Sequence, residues 1–276
     1  MNLSAVDYAL LGALEQFRLL TIAQGVRLGI ANYSHVAERF RGLRTAKLVH
    51  RTERQFRMGE PMVFCLSPKG ARELALWRGD AVAPAARKEA FGDTMHLHQR
   101  VLTVDLHITL LAWAHQVGAI VEWVRVEFDP NPEGLFPATT ISRRGRKSGP
   151  DMLAAVRTAD GSHWLLAFEV ETGGRSHRLS NFTTHLEERL ETLRTRHLEH
   201  GCDWPKASGY KAARLVFVFE TADMLAAARK RVQGASGAEW RRVFLGALTE
   251  NLEAFCTSWW SADGATGAFI PVTSIA

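Results

Sequence analysis

Apolar residues recur at helical spacing through the first fifty positions and at strand spacing further along. Val6, Leu10, Leu14 and Phe17 fall on one face of a helix expected over residues 4–20. Thr21 is placed to cap a second helix, 22–28, that ends at Gly29. Asn32 or Ser34 can cap a third, in which Val36, Phe40 and Leu43 form the apolar stripe. Past Lys47 the pattern becomes extended, with strands expected at 48–51 and 62–66 around a tip containing Met58-Gly59-Glu60-Pro61. Ser67-Pro68-Lys69-Gly70 then opens a helix through Trp77. Three helices followed by a two-stranded wing is the winged helix-turn-helix arrangement, expected over residues 1–80. The stretch that follows is rich in Ala, Gly and Pro, and residues 81–93 are expected to link two domains.

A long helix is expected over 94–117, with His98, Leu102, Asp105 and Thr109 on one face. Residues 119–128 alternate as a strand, which Asp129-Pro130-Asn131-Pro132 breaks. Residues 142–148 read as a loop. A hairpin follows, with strands at 152–157 and 164–172 and turn chemistry at 158–162. Trp164, Leu166, Phe168 and Val170 point one way in its second strand, and Leu165 and Ala167 are apolar too, as in a central strand covered on both faces. Beyond it come a helix at 181–200, an apolar strand at 213–220 and a helix at 222–232 capped by Thr221. Residues 241–249 fit a last strand, or a helix running through Phe255.

Composition narrows the classes. The chain has 276 residues, 46% of them hydrophobic, enough for a core in each of two small domains. No uncharged apolar segment approaches the ~20 residues that span a membrane, and the start lacks the basic region of a signal peptide. Cys65, Cys202 and Cys256 are odd in number and far apart, which points to a reducing cytoplasm and away from structural zinc. The net charge of +5 sits entirely in the first domain: residues 1–80 hold 12 Lys and Arg against 7 Asp and Glu, and the rest hold 22 of each. Basicity so placed suggests double-stranded DNA as partner. Tyr33, Ser34, His35, Arg39, Arg41, Arg44 and Lys47 would contact it from the third helix, and Arg51, Arg54 and Arg57 from the wing. The alternative is a helical module with a solvated basic face.

The candidate chemistry lies at the hairpin. Glu169 and Glu171, at i and i+2, stand on one side of their strand, about 6–7 Å apart at Cα. Asp151 enters the same end from the paired strand. Converging carboxylates repel unless a cation sits among them, and Mg²⁺ or Mn²⁺ takes such oxygen ligands. A strand simply emerging into water would present a lone E-x-E equally well. Arg143, Arg144, Arg146 and Lys147 precede this end, either as a solvated loop or as a grip on a phosphate backbone. No dinucleotide-binding, P-loop or nucleophile-elbow motif occurs.

The order helix, three strands, helix, strand, with Pro150-Asp151 opening the second strand and Glu169-Val170-Glu171 closing the third, resembles the PD-(D/E)xK restriction-endonuclease-like fold. With the winged helix in front, the whole chain resembles the replication-relaxation family and, related to it, the MOB-C class of plasmid mobilisation relaxases, over roughly residues 4–260. The resemblance implies an α+β chain: a winged helix followed by an α/β/α nuclease-like domain with a mixed sheet over 94–276. It implies metal-dependent, strand-specific nicking at an origin of transfer or replication, with relaxosome or replication proteins as further partners. Asp151, Glu169 and Glu171 would be its acidic set. Glu171 stands where the pattern has Lys, so Arg175 or Arg178 would supply the missing positive charge, or Glu171 would act as a further ligand or base. His98 and Asp105 are candidates for a secondary site. His96-Leu97-His98 also matches the His-hydrophobic-His pattern of the tyrosine relaxases, but on a helix instead of a strand. A regulator whose nuclease-like domain only docks or dimerises is the remaining alternative.

Overall fold

In the computed structural model Ser4 starts the first helix, α1 (Ala5–Phe17), through a capping box: its hydroxyl accepts from Asp7 N–H, and the Asp7 carboxylate accepts from Ser4 N–H. The structure describes residues 2–52, 62–84, 94–129, 139, 141–143, 146–148, 150–172, 213–232, 243–247, 259–261 and 266–267. The chain divides into two units, Met1–Ile108 with Phe128–Pro132, and Thr109–Glu127 with Glu133–Ala276.

In the first unit α1 ends earlier than its apolar spacing suggests. Arg18 takes a left-handed φ of 68°, and Leu19–Thr21 becomes a strand, β1. The reason is Thr21, which must be extended to cap α2 (Ile22–Arg27) and does so in a second capping box with Gln24. Asn32 caps α3 (Tyr33–Thr45), whose Val36, Phe40 and Leu43 are buried as one stripe. Strands β2 (Val49–Arg51) and β3 (Val63–Leu66) follow, and β3 pairs antiparallel with both β1 and β2 to give the order β1-β3-β2. Phe64 of β3 stacks on Phe40, ring centroids 4.1 Å apart, which ties the sheet to α3. Ser67 caps α4 (Pro68–Arg78), and Gly79, with φ 78°, ends it.

Helix α5 (Thr94–Gln116) contributes its residues up to Ile108 to the first unit and the rest to the second. Residues 85–93 of the expected linker lie outside the described residues. Gln24, buried in α2, donates from Nε2 to the Val101 carbonyl at 3.0 Å, so α5 is held to α2 by a buried hydrogen bond.

Among the described residues the second unit is built on a seven-stranded mixed sheet. In chain order its strands are β4 (Ile120–Val126), β7 (Met152–Arg157), β8 (His163–Glu171), β9 (Ala213–Phe219), β10 (Val243–Ala247), β11 (Trp259–Ser261) and β12 (Thr266–Gly267). A separate two-stranded hairpin, β5 (Ile141–Arg143) and β6 (Arg146–Ser148), replaces the expected loop at 142–148. The order in space is β12-β11-β10-β9-β8-β7-β4. Strands β4, β7 and β8 run antiparallel, β8, β9 and β10 parallel, and β10, β11 and β12 antiparallel. Parallel neighbours need a crossover, and α6 (Ala222–Val232) supplies it between β9 and β10. The helix expected at 181–200, between β8 and β9, lies outside the described residues. From Leu165 to Val170 every residue of β8 is buried, the signature of a strand covered on both faces. Leu225 and Ala228 of α6 pack with Leu153, Ala167, Phe217 and Leu245 on one of those faces. The fold is thus α+β with an open mixed sheet. Of the two readings of 241–249 the strand holds, because Val243–Ala247 pairs along its whole length with β9, from Leu215 to Phe219.

Candidate functional sites: an acidic sheet end and a basic helix

Asp151 sits one residue before β7. The register of β7 on β8 pairs Met152 with Phe168, so its continuation by one residue sets Asp151 opposite Glu169. Asp151 is fixed at both ends: its Oδ2 accepts from Val170 N–H at 2.7 Å, and its carbonyl accepts from Glu127 N–H at 2.9 Å. The side chain thereby continues the β7–β8 ladder past the point where β7 ends. Asp151 and Glu169 are only 3% and 5% exposed, whereas Glu171 is half-buried.

Strand alternation puts Glu169 and Glu171 on the side of the sheet that also carries Ala167, and the register continued from Met152 sets Asp151 opposite Glu169. In the parallel ladder with β9, Glu169 lies beside Phe217 and Glu171 beside Phe219, whose neighbour Glu220 donates its N–H to the Glu171 carbonyl at 3.0 Å. The structure therefore brings the three expected residues to one end of the sheet, that of the carboxyl ends of the parallel strands. It does not draw them round a common point: among the described residues no set of three or more His, Cys, Asp and Glu side chains is arranged to hold a metal ion.

On α3 the stripe of Val36, Phe40 and Leu43 turns Tyr33, Ser34, His35, Glu38, Arg41 and Arg44 outward, and all six are exposed. Lys47 follows in a left-handed conformation, φ 61°, where Leu48 N–H reaches back to the Leu43 carbonyl and closes the helix end. Arg39 is different. Its Nε donates to Asp7 Oδ1 at 2.7 Å and its Nη2 to Asp7 Oδ2, a two-pronged pair with a carboxylate that is 0% exposed. Burial pushes the Asp7 carboxyl up, but the hydrogen bonds from Arg39 and Ser4 outweigh it and leave it below the usual carboxylate range.

Arg54 and Arg57, expected in a wing, and Arg144, Arg175 and Arg178 lie outside the described residues. Arg143 pairs in register with Arg146, and Lys147 with Ser142, across the β5–β6 hairpin. His98 is half-buried, and Asp105 forms an ion pair with Arg27. Burial raises the Asp105 carboxyl above its ordinary value, although Arg27 and Gln24 pull the other way. Sequence reasoning passed over Asp7 and Glu38. The Ser4-x-x-Asp7 spacing was a visible capping signal for Asp7, while nothing local announced its pairing with a residue 32 positions away. No family model, no curated protein and no solved structure matches the chain.

Proposed function

We propose that this protein binds double-stranded DNA through α3 and nicks one strand, with Mg²⁺ or Mn²⁺, at the Asp151–Glu169 end of the seven-stranded sheet, as a relaxase does at an origin of transfer or replication. The observation that carries the reading is the pair of buried carboxylates set opposite each other across β7 and β8. In open sheets with parallel strands, ligands bind outside the carboxyl ends of those strands, and Glu169 and Glu171 stand at that end of β8. The binding half rests on the order of α1, α2, α3, β2 and β3, which is that of a winged helix-turn-helix, and on the outward Ser34, His35, Arg41, Arg44 and Lys47.

The donor set is all oxygen, which suits a hard divalent cation. Such a cation, once bound, supplies charge neutralisation at the phosphate and a water of lowered pKa. Asp151 offers a carboxylate whose place the Val170 N–H fixes, and Glu169 a second one from the neighbouring strand. Glu171 is the wettest of the three and so the one suited to take the proton of the attacking water.

One observation favours a second reading, a DNA-binding regulator without catalysis. The Asp151 carboxylate already has a structural task in completing the ladder at Val170. Supercoiled plasmids bearing candidate origins, incubated with Mg²⁺ or Mn²⁺ and with chelator, separate the two. The nicking reading expects metal-dependent open circles from the wild type and none from Glu169→Ala, with duplex binding near normal in both. A wild type that binds duplex and never nicks establishes the regulator.

A further inference from the structure

We propose that Arg39 is a positioning residue for DNA binding: through its fork on buried Asp7 it sets the rotation and axial place of α3, and it makes no contact with DNA itself. The proposal rests on the reading of α3 as the duplex-binding helix and names a residue that acts on that face from behind. The stripe of Val36, Phe40 and Leu43 decides which side of α3 faces the core. Apolar contacts are non-directional, so a stripe alone leaves α3 able to roll or slide by a fraction of a turn. A guanidinium fork on a carboxylate has fixed geometry in its plane.

Asp7 is a rigid anchor for that fork. Its Oδ2 accepts from both Ser4 N–H, at 2.7 Å, and Ser4 Oγ, at 2.8 Å, while Arg39 Nε takes Oδ1. The start of α1 is thereby pinned to the middle of α3. Arg39 directly precedes Phe40, so the anchor acts beside the residue that stacks on Phe64. Ser34, Glu38 and Arg41, on the outward side, are placed by the same constraint. Buried ion pairs often add little to stability compared with an apolar pair of similar volume, and defining a unique arrangement is a better-attested role for them.

That contrast supplies the test. In the full-length protein Asp7→Leu and Arg39→Met together replace the pair with apolar side chains, and duplex affinity is measured across a salt series beside thermal unfolding. The double variant is expected to melt within about 5 °C of the wild type. It should bind duplex about 10-fold more weakly, with an unchanged slope of log affinity against log salt. Arg41→Ala, the phosphate-contact comparator, should make that slope shallower by about 0.9. Arg39→Lys keeps the charge without the fork and should also lose affinity at constant slope, which preserves the test should the double variant not fold. Wild-type affinity in the variants would overturn the positioning role, and so would a slope reduced as in Arg41→Ala, the mark of a direct phosphate contact. A wild type that binds no duplex at all would overturn the functional reading itself and this inference with it.

Discussion

Replacing His107 with Leu should remove a pH dependence of stability from the first unit. His107 lies on α5, 6% exposed, with its ring edge-on to Phe17 at 4.7 Å between centroids. Burial disfavours the charged imidazolium and lowers its pKa from 6.5 to about 4. A base with a lowered folded pKa binds fewer protons folded than unfolded throughout that window. Its contribution is therefore complete above about pH 6.5 and is lost as the pH falls toward 4. The full shift corresponds to about 3 kcal/mol, and about 2 kcal/mol should already be gone at pH 5. Asp7 acts in a lower range, since a lowered carboxyl contributes fully above its ordinary value and loses that contribution as the pH falls through the folded one. Asp105, with its raised carboxyl, contributes in the opposite sense, and both acids are common to the two proteins. Hydrogen exchange by mass spectrometry on peptides from α1 and α5, corrected for intrinsic rates at each pH, reads local opening without requiring the two units to unfold together. Between pH 8 and 5 the opening free energy of the wild type should fall by about 2 kcal/mol more than that of His107→Leu. Parallel curves for the two proteins would refute the assignment of a buried neutral imidazole.

Gly70→Ala should destabilise the first unit by at least 2 kcal/mol, roughly, because a Cβ there would stand 2.1 Å from the Leu48 carbonyl oxygen, a backbone atom that cannot swing aside; urea titration of the variant checks it. Lys47→Gly should do the reverse, relieving a left-handed non-glycine residue worth about 1 kcal/mol, while weakening duplex binding and reducing its salt slope by about 0.9 if Lys47 meets a phosphate. Under the proposed function Glu171→Lys should abolish plasmid nicking through loss of the proposed base, and nicking retained in that variant would mark Glu171 as a stand-in for lysine.

The first unit was legible in the sequence wherever a local signal fixed the backbone. Ser4, Thr21, Asn32 and Ser67 are all caps whose side chains accept the expected N–H groups, and each cap places a helix start to within a residue. Strand β1 was missed because its three residues are too few to show a period, and its partner β3 lies more than forty positions away. Strands β11 and β12 escaped for the same reason. They are three and two residues long, and pairing, not periodicity, makes them strands.

The two candidate sites differ in how far a one-dimensional pattern could reach. Glu169 and Glu171 share a face because strands alternate, so their relation was readable from the i, i+2 spacing alone. The place of Asp151 opposite Glu169 needed only a correct hairpin register, which the Thr158–Ser162 turn fixes through Thr158 N–H to the Ser162 carbonyl at 3.0 Å. Arg39 obeyed no such rule. On a helical wheel it is one more cation beside Arg41 and Arg44, and charge counting assigns all three to DNA. What separates them is a tertiary partner, Asp7, whose carboxylate is wholly buried and therefore demands a cation more strongly than a solvated phosphate does. A count of basic residues on a recognition helix thus overstates its phosphate contacts by those that a buried acid on a neighbouring helix has claimed.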